Sequence, residues 1–128
     1  MTTATQQLIG QMFDAFNRHD AQAVVDTMTD DVVFEAAAGP EVYGRRFSGK
    51  AAVKEAFANT FNDLKDVRWD DVQVVEGPKW VVTTWTMKAT RADGQRMEIE
   101  GLDLFTVRDG KVCEKRAFRK DRPLIPTA

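Results

Sequence analysis

Residues Met97 to Val107 read M-E-I-E-G-L-D-L-F-T-V. Met97, Ile99, Gly101, Asp103, Phe105 and Val107 fall on one parity; Glu98, Glu100, Leu102, Leu104 and Thr106 fall on the other. Alternation of this kind is the mark of a half-buried β-strand. The odd face is the more apolar and is expected to look into the core. It nevertheless carries Asp103, and an ionised carboxylate among apolar groups is costly unless something pairs with it. A paired, protonated or working acid is therefore expected at position 103.

The strands on either side follow from the turns. Upstream, Trp80 to Arg91 alternates, with Val81, Thr83, Trp85, Met87 and Ala89 on one face. A two-residue Asp93-Gly94 turn would put threonines and Lys88 on the apolar face. A three-residue loop with Gly94 left-handed pairs Arg91 with Gln95 instead. That register sets Ala89 against Met97, Trp85 against Gly101 and Thr83 against Asp103, and it gives one continuous apolar face. An indole across from a glycine predicts open space near Asp103. Downstream, Arg108-Asp109-Gly110 turns into a last strand, Lys111 to Lys120. A three-residue loop puts Cys113, Lys115, Ala117 and Arg119 on the Asp103 face. A two-residue loop puts Val112, Glu114, Arg116 and Phe118 there. Pattern alone leaves both open, and either one sets a base opposite Asp103.

The first half of the chain reads as helices. Leu8, Ile9, Met12, Phe13 and Phe16 make one apolar stripe on a helix from about Thr5 to Asn17. Asp20 suits the N-cap of a short second helix through Met28. Val32 to Ala36 reads as a strand, and Ala38 to Gly49 as a long loop broken by Gly39, Pro40, Gly44 and Gly49. Ser48 is expected to cap a third helix, Lys50 to Asp63. Val67 and Trp69 differ in parity from Val72 and Val74, which predicts a bulge at Asp70-Asp71. Gly77-Pro78 makes the next turn, and the tail from Arg122 to Ala128, with two prolines, reads as an extended edge. Helices followed by a mostly antiparallel run of strands is an α+β arrangement.

With 128 residues, the chain is expected to be a single domain, residues 1–128. Apolar residues make up 43% and charged ones 30%, a globular balance. The net charge of −2 gives no reason to expect nucleic acid or an anionic membrane as partner. No apolar run reaches spanning length and the N-terminus lacks the plan of a signal peptide, so a cytoplasmic location is expected. The single cysteine, Cys113, agrees with a reducing compartment and has no evident base to activate it. His19 has no second His or Cys at ligand spacing, so no metal is expected. Nothing in the sequence calls for a cofactor.

The order helix, short helix after H-D, strand, G-rich loop, S-G-K-A-A-V-K-E-A-F, and a meander closing in G-L-D-L-F-T-V-R-D-G-K-V resembles the nuclear-transport-factor-2-like superfamily. Within it the chain is similar to the branch of ketosteroid isomerase and the SnoaL-like polyketide cyclases. The resemblance implies a cone-shaped α+β barrel, a strongly curved sheet wrapped around the N-terminal helices, with a pocket at the wide end. It also implies a homodimer. Asp103 matches the strand position where such isomerases keep a protonated acid and where the cyclases keep a proton-moving one. The isomerase's other two groups are not matched: its general base falls at Ala36, with Glu35 out of phase, and its tyrosine falls at Met12. Steroid isomerisation by that mechanism is therefore not expected. The same alignment puts Lys115 and Arg119 on the pocket face, favouring the three-residue register of the last hairpin.

The function expected is that of a small-molecule-binding pocket protein. It would be a cofactor-independent acid–base enzyme of isomerase, cyclase, dehydratase or hydrolase type, acting on a small, mostly apolar substrate. The alternative is a non-catalytic binding module or accessory subunit. Asp103 and Lys115 are the expected catalytic pair, although a locked salt bridge between them would do no chemistry. Lys115 and Arg119 suit a carboxylate or enolate. Trp85, Phe13, Phe57 and Phe105, with Gly101, are expected pocket walls, though each aromatic also fits plain core. Tyr43 with Arg45 and Arg46 reads either as a lid over the pocket or as a solvated loop.

Overall fold

The computed structural model describes residues 2–127 of the chain, so the outer ends of the expected domain and tail, Met1 and Ala128, lie outside the described residues. Helix α1, Ala4–Asn17, is capped by Thr3, which exchanges hydrogen bonds with Gln6 in a capping box. Its expected stripe is the buried one, with Ile9, Met12, Phe13 and Phe16 in the core. Helix α2, Ala21–Asp26, is capped by Asp20 as expected. It ends before Met28, which instead opens strand β1, Met28–Glu41.

The expected loop from Ala38 to Gly49 is a β-hairpin. Strand β1 runs to Glu41, turns through Val42 and Tyr43, and returns as β2, Gly44–Ser48. Gly44 carries the reversal: its φ is +83°, and a Cβ there would come within 2.1 Å of the Ala36 carbonyl oxygen. The glycines that read as breakers are what allows the two strands to approach so closely. Helix α3, Lys50–Asp63, then starts with Gly49 and not Ser48 at its N-cap, without a side-chain cap.

The remaining strands are β3 (Arg68–Glu76), β4 (Val81–Thr90), β5 (Arg96–Arg108) and β6 (Lys111–Arg119). All six form one sheet in the order β2-β1-β6-β5-β4-β3. Every pairing is antiparallel except β1 with β6. The sheet is curved and stays open, with β2 and β3 at its edges. The helices cover its inner face, where Phe16 packs against Phe57 and Trp69. The bulge at Asp70-Asp71 is present: the β3–β4 register shifts between Asp70 and Gln73, and Asp71 has a φ of +57°. The tail is tied to β5 by an antiparallel bridge between Ile125 and Arg96.

Both registers around Asp103 are informative. Strand β4 pairs with β5 through Ala89–Met97, Trp85–Gly101 and Thr83–Asp103, and the Arg91 amide donates to the Gln95 carbonyl at 2.8 Å. The last hairpin satisfies both of its alternatives in turn. Asp109 and Gly110, with φ of +52° and +76°, form a two-residue turn that pairs Arg108 with Lys111 and buries Val112. The register then slips by one residue at Cys113, so that Glu114 faces Thr106 and Lys115 faces Phe105. This bulge moves Lys115, Ala117 and Arg119 onto the Asp103 face.

Candidate functional site

Asp103 sits in the middle of β5 and is 1% exposed. One carboxylate oxygen accepts from the Lys115 ammonium at 2.9 Å. The other accepts from the Trp85 indole N–H at 2.9 Å and from the Thr83 hydroxyl at 3.4 Å. Thr83 and Trp85 come from β4 and Lys115 from β6, so the two neighbouring strands supply every donor. An anion so placed has its charge balanced and its lone pairs used, which is what makes burial tolerable.

Lys115 is 6% exposed. Besides Asp103, its ammonium meets aromatic faces: Phe34 at 4.9 Å, Phe16 at 5.3 Å, Phe57 at 5.8 Å and Phe105 at 5.9 Å from the ring centroids. Four ring faces at these distances attract a cation. The amine is thus held by one carboxylate and steered by a box of phenyl rings.

In front of Lys115 lies a cavity of about 300 Å³ between the inner sheet face and helices α1 and α3. Phe16, Phe34, Phe47, Phe57, Phe61, Trp69 and Trp85 give it aromatic walls, and Met87 and several alanines, Ala36 and Ala117 among them, add to the apolar lining. Its charged lining is Arg45, Lys115 and Arg119, and among the described residues no carboxylate lines it. Arg119 stands at the rim, exposed as a residue, with its guanidinium 3.4 Å from the Met87 sulfur. Burial holds the Arg119 guanidinium below its usual value, and the Asp103 charge opposes that shift. An arginine so shifted still carries its charge.

The structure therefore brings together four of the residues expected from sequence: Trp85, Phe57, Lys115 and Arg119 all line the cavity. Asp103 stands behind them and meets the cavity only through Lys115 and Trp85. Phe13 and Phe105 are core residues in edge-to-face contact at 6.4 Å, not cavity walls. Gly101 does not open space beside Asp103. The Trp85 ring fills that space, so closely that a Cβ on Gly101 would sit 2.5 Å from it. Tyr43 is at the tip of the β1–β2 hairpin, with the Arg46 guanidinium over its ring at 3.8 Å, and does not line the cavity.

The loop reading offers Arg45 only as part of a lid and gives Phe47 no role, yet both line the cavity from β2. Once β1 and β2 are a hairpin, Arg45 pairs with Ala36 and Phe47 with Phe34, and all four share the inner face. The alternation Phe34-Ala36 and Arg45-Phe47 was the available signal. Glu35 points the other way and is held by Arg46 at 2.7 Å and Arg116 at 3.2 Å. Ala36 lines the cavity and Met12 is fully buried in the core. Neither offers a group for proton transfer. Among the described residues no three His, Cys, Asp or Glu side chains gather as a metal site requires. No helix of the described residues is long and apolar enough to cross a membrane.

Comparison with known proteins agrees with this architecture. A model of the SnoaL-like domain matches residues 9–115. A candidate polyketide cyclase from Xanthomonas campestris pv. campestris is 23% identical with a TM-score of 0.78, covering 90% of this chain and 89% of its own. TerC, crystallised with polyporic acid, is 22% identical with a TM-score of 0.78, covering 92% of each chain. A candidate isomerase from Bacillus subtilis is 15% identical with a TM-score of 0.78, covering 91% of this chain and 86% of its own. At such identities the likeness is one of fold. No curated protein matches the sequence.

Proposed function

This chain belongs to the SnoaL-like domain family, and on that premise we propose that it is a cofactor-independent acid–base enzyme acting on a small, mostly apolar molecule. The observation that carries the reading is the Asp103–Lys115 hydrogen bond of 2.9 Å at the floor of an aromatic-walled cavity. Lys115 is the member that meets the ligand, and Asp103 acts through it.

The chemistry follows from the geometry. An ionised and a neutral form of the pair differ by one proton moved along that bond, with no heavy atom displaced. In its amine form Lys115 removes a proton from a carbon beside a ligand carbonyl. The resulting ammonium stands next to the enolate and returns the proton to a different atom. Asp103 and the phenyl box fix where the amine points. The net change is an isomerisation or a ring closure that neither gains nor loses electrons. The aromatic walls exclude water and suit a ligand of one or two rings. TerC, of the same fold, was crystallised with polyporic acid, and a ligand with an acidic group would suit a cationic floor here.

Deuterium wash-in tests this. The α-carbon of 1-tetralone, a ring ketone of suitable size, is expected to take up deuterium from heavy water faster with the protein than in buffer. Lys115→Met should abolish the acceleration and Asp103→Asn should reduce it at least tenfold. Wild-type exchange no faster than buffer, with 1-tetralone bound, would leave a binding module in place of an enzyme.

A further inference from the structure

The charge lining the cavity is of one sign. Lys115 lies at the floor, while Arg45 from β2 and Arg119 from the end of β6 stand nearer the mouth. Among the described residues neither arginine is in an ion pair, whereas Arg46 and Arg116, their neighbours on the outer face, both hold Glu35. The contrast is informative. Two solvent-reached guanidinium groups at the edge of an apolar hollow, with no carboxylate of the described residues lining it, are two planar donor forks available to an anion that enters. Lys115 already has its counter-charge in Asp103. The surplus positive charge therefore belongs to the mouth.

From this we infer that the ligand is an organic carboxylate, an aromatic or alicyclic acid with a second oxygen at its opposite end. Its ring fills the phenyl-lined hollow, its carbonyl or phenolic oxygen meets Lys115, and its carboxylate is held by Arg45 and Arg119. The scale agrees. Lys115 and Arg119 are four residues apart on one strand, about 13 Å between their Cα atoms at a rise of about 3.3 Å per residue. Lys115 reaches back to Asp103 and Arg119 to Met87, so both side chains lean the same way along the sheet and that spacing, the scale of an acid of two or more rings, is kept. Arg45 pairs with Ala36, two residues along β1 from the Phe34 that faces Lys115, so it reaches the cavity from the edge strand two strands away from β6. The inference takes from the proposed function only that this cavity is the binding site.

The test compares 6-hydroxy-2-naphthoate with its methyl ester by isothermal titration calorimetry. The two share the ring and the phenolic oxygen and differ in charge at the other end. The acid should bind at least tenfold more tightly than the ester. Arg45→Gln and Arg119→Gln should each shrink that ratio at least threefold, and the double variant should bring it to about one. Lys115→Met should weaken acid and ester alike and leave their ratio standing. All variants are to be checked for an unchanged circular dichroism spectrum. Equal binding of acid and ester, an unchanged ratio in both arginine variants, or no binding of either compound at millimolar concentration overturns the inference. A preserved acid preference without deuterium wash-in would count against the catalytic reading alone.

Discussion

Replacing Asp103 by asparagine removes one charge from a pair in which the carboxylate is 1% and the lysine 6% exposed. Among the described residues the ammonium left behind pairs with no other carboxylate. Breaking a buried pair from one side costs about 3–5 kcal/mol. Two features lower that figure. The asparagine oxygen still accepts from the Trp85 indole or from Lys115. Four phenyl faces also remain around the ammonium, each contributing about 0.5–1 kcal/mol. The expected loss is about 3 kcal/mol, which for a chain of this size lowers the melting temperature by roughly 10–15 °C. Lys115→Met should cost about as much, because the carboxylate keeps only Trp85 and Thr83. The double variant Asp103→Asn/Lys115→Met carries no stranded charge, so its loss should fall short of the sum by about 2–3 kcal/mol. Urea unfolding at pH 7, followed by tryptophan fluorescence, measures all three. Single losses below about 1 kcal/mol, or strict additivity, would refute the view that the two charges depend on each other.

Three further expectations concern the rest of the molecule. Gly101→Ala would press a methyl within 2.5 Å of both the Phe118 carbonyl oxygen and the Trp85 ring. It should cost about 2–3 kcal/mol and shift tryptophan emission, whereas an unperturbed spectrum would contradict the tight stacking of Trp85. Asp66 accepts from the Thr90 amide at 2.7 Å and the Thr90 hydroxyl at 2.6 Å, which hold its carboxyl below its usual value. A depressed acid stabilises the fold above its unfolded value of about 3.9 and loses that contribution as pH falls through the lower folded value. The stability gap between wild type and Asp66→Asn should therefore be full near neutrality and close below about pH 4; a gap that ignores pH would exclude the effect. On the outer sheet face Phe118 is 45% exposed and pairs with Leu102. If two copies join there, as the family resemblance implies, sedimentation should give a dimer for wild type and a monomer for Phe118→Glu. A wild-type monomer, or a variant that stays dimeric, would remove that interface.

Where the sequence was legible, strict alternation and a turn of defined length left one answer. The β4–β5 register could be read because only a loop pairing Arg91 with Gln95 keeps Trp85, Met87 and Ala89 on the Ile99 face. The last hairpin could not be decided from pattern because its two halves obey different registers, with the slip at Cys113. Val112 argued for one and Lys115 for the other, and both are buried. The β1–β2 hairpin was missed for a physical reason. Gly39, Pro40 and Gly44 look like loop residues, yet Gly44 is what the tight approach to Ala36 demands. With the loop reading Arg45 appears only as part of a lid or a solvated loop, whereas on β2 it lines the cavity. Parity also gave the face on which Asp103 lies but not its depth. Long side chains on the neighbouring strands, Trp85 and Lys115, reach across in front of the short carboxylate, and only three-dimensional packing reveals that.

The most direct measurement observes Lys115 itself. In protein labelled with ¹⁵N on lysine side chains, the Lys115 Nζ signal can be assigned by its loss in Lys115→Met. Titration with 6-hydroxy-2-naphthoate is expected to move that signal more than any other lysine's. A ligand that binds the protein and leaves the Lys115 resonance where it was would contradict a site built around this amine.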